Sequence, residues 1–205
     1  MIGWSIETAL KSNLFDQVIV STDDLTIARV AKQYGAMAPF LRPEVLSDDH
    51  APTVPVVSHA IESVKSEFDN LNGVCCLYAT APFVRASDLR RGWEKLQNSN
   101  SDYAVSVTSF SYPVQRALLV NGDGRMRMAW PEYVETRSQD LEQHYHDAGQ
   151  FYWGRPETWL NQRPLLGSNN TAVILPPDRV QDIDDMTDWK RAESLFRFLS
   201  DNKKI

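Results

Sequence analysis

The chain has 205 residues, 42% hydrophobic and 23% charged, with a formal net charge of −6. These proportions belong to one folded domain and exclude a disordered or fibrous chain. No basic stripe extends beyond Arg90-Arg91, which excludes a nucleic-acid surface, and no apolar run approaches the roughly 20 residues of a membrane span, so no membrane partner is expected.

Ile2, Ile6, Ala9 and Leu10 recur at helical spacing, so the chain opens on an amphipathic helix ending near Asn13, with no strand or signal-peptide pattern before it. Residues 16–22 read as a buried strand. Ile27, Val30, Ala31 and Tyr34 then mark a helix capped by Asp24 and stopped at Gly35. Val57, Ala60, Ile61, Val64 and Phe68 predict another helix. Residues 73–78 follow as an apolar run without alternation, the pattern of a central parallel strand. That run holds the only cysteines, Cys75 and Cys76, which read as packing groups of a reducing, cytoplasmic compartment.

A helix over residues 88–97 and a strand over 103–107 continue the alternation. The middle differs in kind: apolar stretches at 114–120 and 125–130 flank Asn121-Gly122-Asp123-Gly124, which predicts a hairpin, and residues 131–147 show no period. Strands at 150–153 and 171–175 precede an acidic segment and a closing helix carried by Trp189, Ala192, Phe196 and Leu199. Alternating strands and helices mean an α/β fold with a mostly parallel sheet, whose ligands bind beyond the carboxyl ends of the strands. With no internal repeat or linker, residues 1–205 read as a single domain.

The acidic segment is Gln181-Asp182-Ile183-Asp184-Asp185. In extended backbone Asp182 and Asp184 share a face about 7 Å apart, and such paired carboxylates suit Mg²⁺ completed by water and substrate phosphates. The alternative is a solvated helix start with Asp185 or Thr187 as N-cap. Val20-Ser21-Thr22-Asp23 ends an early strand. Arg42-Pro43 offers a cation for bidentate phosphate contact, and Tyr78-Ala79-Thr80-Ala81-Pro82 is a loop of small residues with a hydroxyl. Each also reads as an ordinary loop or surface residue. His144 and His146 lack a third soft ligand and read as surface or substrate-lining imidazoles rather than a zinc site.

In this order the blocks resemble the CMP-sialic acid synthetase family of cytidylyltransferases: Ser21-Thr22-Asp23, Tyr34-Gly35-Ala36, Arg42-Pro43, Thr80-Ala81-Pro82, and Asp182-Ile183-Asp184 before Trp189. Tyr78-Ala79-Thr80-Ala81-Pro82-Phe83-Val84, together with His146-Asp147-Ala148-Gly149-Gln150-Phe151-Tyr152-Trp153, looks like the branch acting on pseudaminic acid. The resemblance implies a three-layer, Rossmann-like nucleotidyltransferase fold. It also implies a CTP-dependent enzyme that activates a nine-carbon keto-sugar acid to its CMP-sugar and releases pyrophosphate. Asp182 and Asp184 would then be catalytic Mg²⁺ ligands. Thr22, Arg42 and Thr80 would line the nucleotide, and Asp147, Gln150 and Tyr152 would face the sugar. Residues 112–147 resemble the family's inserted dimerisation hairpin, which implies a homodimer.

The family opens with a strand and an Ala-Arg-x-Gly-Ser-Lys loop, whereas Met1-Ile2-Gly3-Trp4-Ser5-Ile6 resembles the helix after that loop. The resemblance thus implies a chain lacking the first strand and phosphate cradle, impaired as an enzyme on its own, with an open sheet edge beside Val18–Ser21 or Val74–Tyr78. A noncatalytic homologue that binds a sugar acid or a partner is the alternative.

Overall fold

Asn13, in the left-handed conformation at φ 55°, ends α1 (Ile2–Ser12), whose buried face includes Ile6 and Ala9. The side chain of Asp24 accepts the Thr26 and Ile27 amides and so starts α2 (Leu25–Gln33), satisfying two of the donors that every helix N-terminus leaves open. The chain then turns at Gly35, whose φ of 93° suits a residue without Cβ. Ile6, Ala31 and Ala36 pack these two helices together. In this computed structural model, which describes residues 1–68 and 70–201, the strand expected over residues 16–22 is a single parallel bridge, Ile19 to Met37. The Val18 carbonyl and the Val20 amide both bond to Met37, and no further strand lies alongside among the described residues, so the ladder stops at one rung.

The remaining elements are α3 (Thr53–Val64), β1 (Val74–Leu77), α4 (Ala86–Gln97), β2 (Tyr103–Ser109), β3 (Leu118–Val120), β4 (Met126–Met128), β5 (Tyr145–Gly154), α5 (Pro156–Leu160), β6 (Thr171–Ile174) and α6 (Met186–Asp201). The main sheet has the order β1-β5-β2-β6. Strand β5 runs antiparallel to both of its neighbours, while β2 and β6 pair in parallel. Strands β1, β2 and β6 therefore share a direction and only β5 opposes them, although most of the pairings are antiparallel.

Strand β1 was expected in the centre and lies at the edge of the sheet among the described residues. Its unbroken apolar run has another cause. Cys75 and Leu77 pack on one face of the sheet and Val74 and Cys76 on the other, so both faces are covered. On the first face α4 supplies Leu89 and Leu96 against Phe151 and Trp153. On the second, Val57 and Ile61 of α3 and Trp159 of α5 meet Tyr103, Val105 and Tyr152. Helices on both faces give three layers. Leu89, Leu96, Phe151 and Trp159 are completely buried, and each such side chain contributes roughly 1.5–3 kcal/mol of transfer free energy.

Strands β3 and β4 form a separate two-stranded sheet, turned through Asn121 and Gly124. No helix among the described residues is long and apolar enough to cross a membrane.

Candidate active site

The site is built around an irregularity in β5. Val105 of β2 lies opposite Tyr152, yet Val107 lies opposite Asp147, so residues 148–151 bulge out against Ser106 alone. The bulge needs Gly149 at φ 60°, and the Ser106 hydroxyl satisfies it by accepting the Phe151 amide at 3.0 Å. Its consequence is a change of face: Ala148 joins the core with Phe151 and Trp153, while Asp147 reaches Tyr152.

Asp147 is held at both oxygens. Oδ2 accepts the Tyr152 hydroxyl at 2.6 Å and Oδ1 accepts the Gly149 amide at 2.9 Å. Burial first, and then the bond to Asp147, push the Tyr152 phenol far above its usual range. The Tyr78 ring packs edge-on against Tyr152, its hydroxyl pairs with Thr53 at 2.6 Å, and burial raises its phenol as well. Gln150 is fully buried. Its amide nitrogen donates to the Ala148 and Gly149 carbonyls, and its amide oxygen has no partner among the described residues. Of the three residues expected on the sugar side, only Asp147 reaches the surface; Tyr152 supports it from beneath, and Gln150 is buried within the bulge.

The same bulge touches the acidic segment. A Cβ placed on Gly149 would sit 3.4 Å from Asp182 Oδ1, so the Asp182 carboxylate rests against the glycine backbone. Asp147 and Asp182 line one cavity of about 200 Å³ together with Thr108, Ser109, His146 and Gln181. Asp182 stays exposed to solvent, yet partial burial and then the neighbouring Asp184 raise its carboxyl above the ordinary range, with Asp147 and Asp188 adding to the repulsion. Asp184 lies at the surface, its amide donating to Asp188 Oδ2 at 3.4 Å. Asp185 caps α6 by accepting the Thr187 and Asp188 amides. The capping role thus falls to the third carboxylate and leaves the first two available. Among the described residues no three His, Cys, Asp or Glu side chains gather into a metal cluster, so a cation here would have to complete its shell with water and ligand oxygens.

Thr22 and Arg42 form a second cluster. The Arg42 amide donates to the Thr22 carbonyl at 2.8 Å, and the guanidinium reaches Ser47 at 3.2 Å and Asp23 at 3.8 Å. Thr22 is buried with its hydroxyl accepting the Asp24 amide, so it shapes the turn, while the half-buried Arg42 carries the outward charge. Thr80 sits half-buried in a turn tied to α1, where the Ser5 hydroxyl donates to the Tyr78 carbonyl at 2.8 Å. His144 is held by Gln115 and His146 by its own neighbour's carbonyl, with the His146 ring against Phe110.

The cytidylyltransferase family model matches residues 1–122 of the chain. A pseudaminic acid cytidylyltransferase of Campylobacter jejuni is 41% identical over 197 residues, 96% of this chain and 85% of that protein. This chain belongs to the cytidylyltransferase family. A Helicobacter pylori protein described as a pseudaminic acid cytidylyltransferase and UDP-2,4-diacetamido-2,4,6-trideoxy-beta-L-altropyranose hydrolase is 37% identical over 89% of the chain and 35% of its own length. The N-acylneuraminate cytidylyltransferase of Escherichia coli is 27% identical over 94% of the chain and 45% of its own length. The fold matches a CMP:2-keto-3-deoxy-manno-octonic acid synthetase complexed with CTP, at TM-score 0.66 and 14% identity, covering 96% of this chain and 87% of that one.

In this family member the sequence pattern missed the bulge, the Thr53–Tyr78 pair and a buried arginine, Arg179. Gly149 inside an apolar strand pattern was the available sign of the bulge. The other two rest on contacts between residues distant in sequence, and no local pattern announces them.

Proposed function

We propose that the chain transfers the cytidylyl group of CTP to the anomeric hydroxyl of a nine-carbon keto-sugar acid of the pseudaminic type. The observation that carries this reading is the convergence of Asp182 and Asp147 on one cavity at the β5 bulge, in a chain of this family. The sugar oxygen forms a bond to the α-phosphorus, the bond from that phosphorus to the bridging oxygen breaks, pyrophosphate leaves, and the hydroxyl proton passes to solvent. Such a transfer needs in-line positioning and charge neutralisation more than covalent help from the protein.

Asp182 and Asp184 fit a divalent cation, taken to be Mg²⁺, because partial burial and then their mutual repulsion raise the Asp182 carboxyl, and a cation would offset both. When bound, the cation would offset phosphate charge. The protein's own groups do the rest. Asp147, oriented by Tyr152 and the Gly149 amide, keeps lone pairs free to accept hydrogen bonds from sugar hydroxyl or amide donors. Arg42 and Thr80 lie on the nucleotide side. The test is pyrophosphate release from CTP and pseudaminic acid with Mg²⁺, with N-acetylneuraminate as comparison. Turnover that needs all three components and prefers pseudaminic acid is expected; no release with either acid would overturn the reading.

We also propose that residues 112–147 are an inserted dimerisation element of a single domain, a reading that the exposed apolar face of the hairpin supports. The hairpin exposes Leu118, Leu119, Val120 and Met126, with Val120 at 68% and Met126 at 70%. Sedimentation should give a dimer, and Val120→Lys with Met126→Lys should give a monomer. The free Cys75 and Cys76 fit a reducing cytoplasm.

A further inference from the structure

Asp88 and Arg179 form an ion pair with almost no access to water, at 1% and 8% exposure. The guanidinium meets the carboxylate as a fork: Nη1 donates to Oδ2 at 2.7 Å and Nη2 to Oδ1 at 3.2 Å. The other two acceptor positions of Asp88 are taken by the Arg85 amide at 3.1 Å and Arg91 Nη2 at 3.0 Å. All four lone-pair positions of a carboxylate are thereby used. A buried ion pair seldom outdoes well-packed apolar groups in stability, so its geometry points to a task of alignment.

The elements it joins identify the task. Asp88 lies in the first turn of α4, directly after the loop that carries Thr80. Arg91 also donates to the Ile174 carbonyl at the end of β6. Arg179 ends a 3-10 turn only three residues before Asp182, and its Nη1 donates to the Phe83 carbonyl at 3.2 Å. Phe83 is gripped a second time, because its buried side chain clusters with Ile183, the residue between the two acids, and with Ala192 and Leu199 of α6. The backbone of Phe83 thus holds the approach to the acidic pair, and its ring holds the centre of the pair.

We propose that Arg179 is a positioning residue that fixes Asp182 and Asp184 relative to the Thr80 loop, so that the two carboxylates present one cation site to the bound phosphates. This rests on the proposed cation role of the pair. Arg179 touches neither substrate nor cation; it acts through Asp88 and Phe83. A lysine cannot reproduce the fork, because its ammonium is a point charge without the planar guanidinium geometry.

The test compares Arg179→Met and Arg179→Lys with Arg155→Met. Arg155 is a half-buried strut at the other end of α4, where it donates to the carbonyls of Leu96, Ser99 and Ser101, away from the acidic segment. Each full-length variant is measured well below its own melting temperature. The readouts are Mn²⁺ binding in the presence of CTP, by loss of the free-ion paramagnetic resonance signal, and pyrophosphate release against Mg²⁺ concentration. Arg179→Met is expected to raise the half-saturating metal concentration about tenfold in both readouts, Arg179→Lys to give an intermediate shift, and Arg155→Met to lower the melting temperature while leaving metal half-saturation unchanged.

A metal curve for Arg179→Met that superimposes on wild type, or an equal shift in Arg155→Met, would overturn the proposal. Wild-type protein that binds Mn²⁺ with CTP but releases no pyrophosphate would sink the catalytic reading, while the Mn²⁺ curves still decide the role of Arg179. Wild-type protein that binds no Mn²⁺ would sink the positioning role itself.

Discussion

Replacing Gly149 with alanine is expected to damage the site without touching any reactive group. The residue holds φ 60°, where a Cβ meets the following carbonyl oxygen at a cost of roughly 1–2 kcal/mol. The new methyl would lie 3.4–3.5 Å from the Asp182 carboxylate, an ordinary contact, so strain in the backbone rather than a clash sets the magnitude. For a chain of this size each kcal/mol moves the melting temperature by roughly 2–4 °C, which makes the expected loss roughly 2–8 °C by scanning calorimetry. The methyl would also strip water from Asp182, which burial already pushes toward its protonated form, so metal half-saturation should rise in parallel. Gly149→Asn should fall between glycine and alanine, because asparagine tolerates the left-handed region better than other residues with a side chain. The control is Gly122→Ala, a position without positive φ and with nothing within 4 Å of an added Cβ. If Gly149→Ala melts with that control, the bulge does not depend on glycine and the construction of the site argued above is wrong.

Asp182→Asn should abolish metal-dependent turnover yet raise the melting temperature in a chelator at pH 7. The folded carboxyl is raised above its ordinary value of 3.8, so ionising it costs the fold stability as pH rises through and beyond that value. The wild-type melting temperature should therefore recover relative to the variant as pH falls toward 4, and an unchanged difference across that window would refute the raised carboxyl. Tyr152→Phe removes the donor to Asp147 Oδ2 and should cost about 1.5 kcal/mol, at the low end for a bond to a charged group because water can reach Asp147. It should also raise the KM for the sugar acid while leaving that for CTP unchanged, and equal changes in both would remove Asp147 from the sugar side. Cys75 and Cys76 are half-buried, and burial pushes the Cys76 thiol up to about 12 and raises Cys75 well above its ordinary value, so thiol reagents should label both far more slowly at pH 8 than in the unfolded chain. Rapid labelling of the native protein would contradict that burial.

The elements with a strong local signal stand where the pattern put them. The Asp24 cap, the Gly35 stop, the apolar stripe of α3 as far as Val64 and the Asn121–Gly124 turn each follow from spacing or from one residue's backbone preference. The Asp-Ile-Asp segment was legible for the same reason: adjacent residues of distinctive type carry it. Residues 16–22 and the edge position of β1 were misjudged because strand formation and strand order depend on which segment lies alongside, and that is not written in the segment itself. A central strand and an edge strand look alike when both faces are covered, as they are for Val74–Leu77.

The sequence alone therefore determined the class of fold and the family, and it singled out the two carboxylates proposed to hold a cation. The tertiary structure decided what those carboxylates face. Only the register of β5 against β2 shows that Gly149 turns Asp147 toward Tyr152 and lays the backbone against Asp182. Likewise only the packing of α4 against the approach to α6 brings Arg179 onto Asp88, 91 positions away in the chain. Local sequence encodes conformation within a few residues, whereas a site is a set of distances between segments, and those distances exist only once burial has chosen which faces meet.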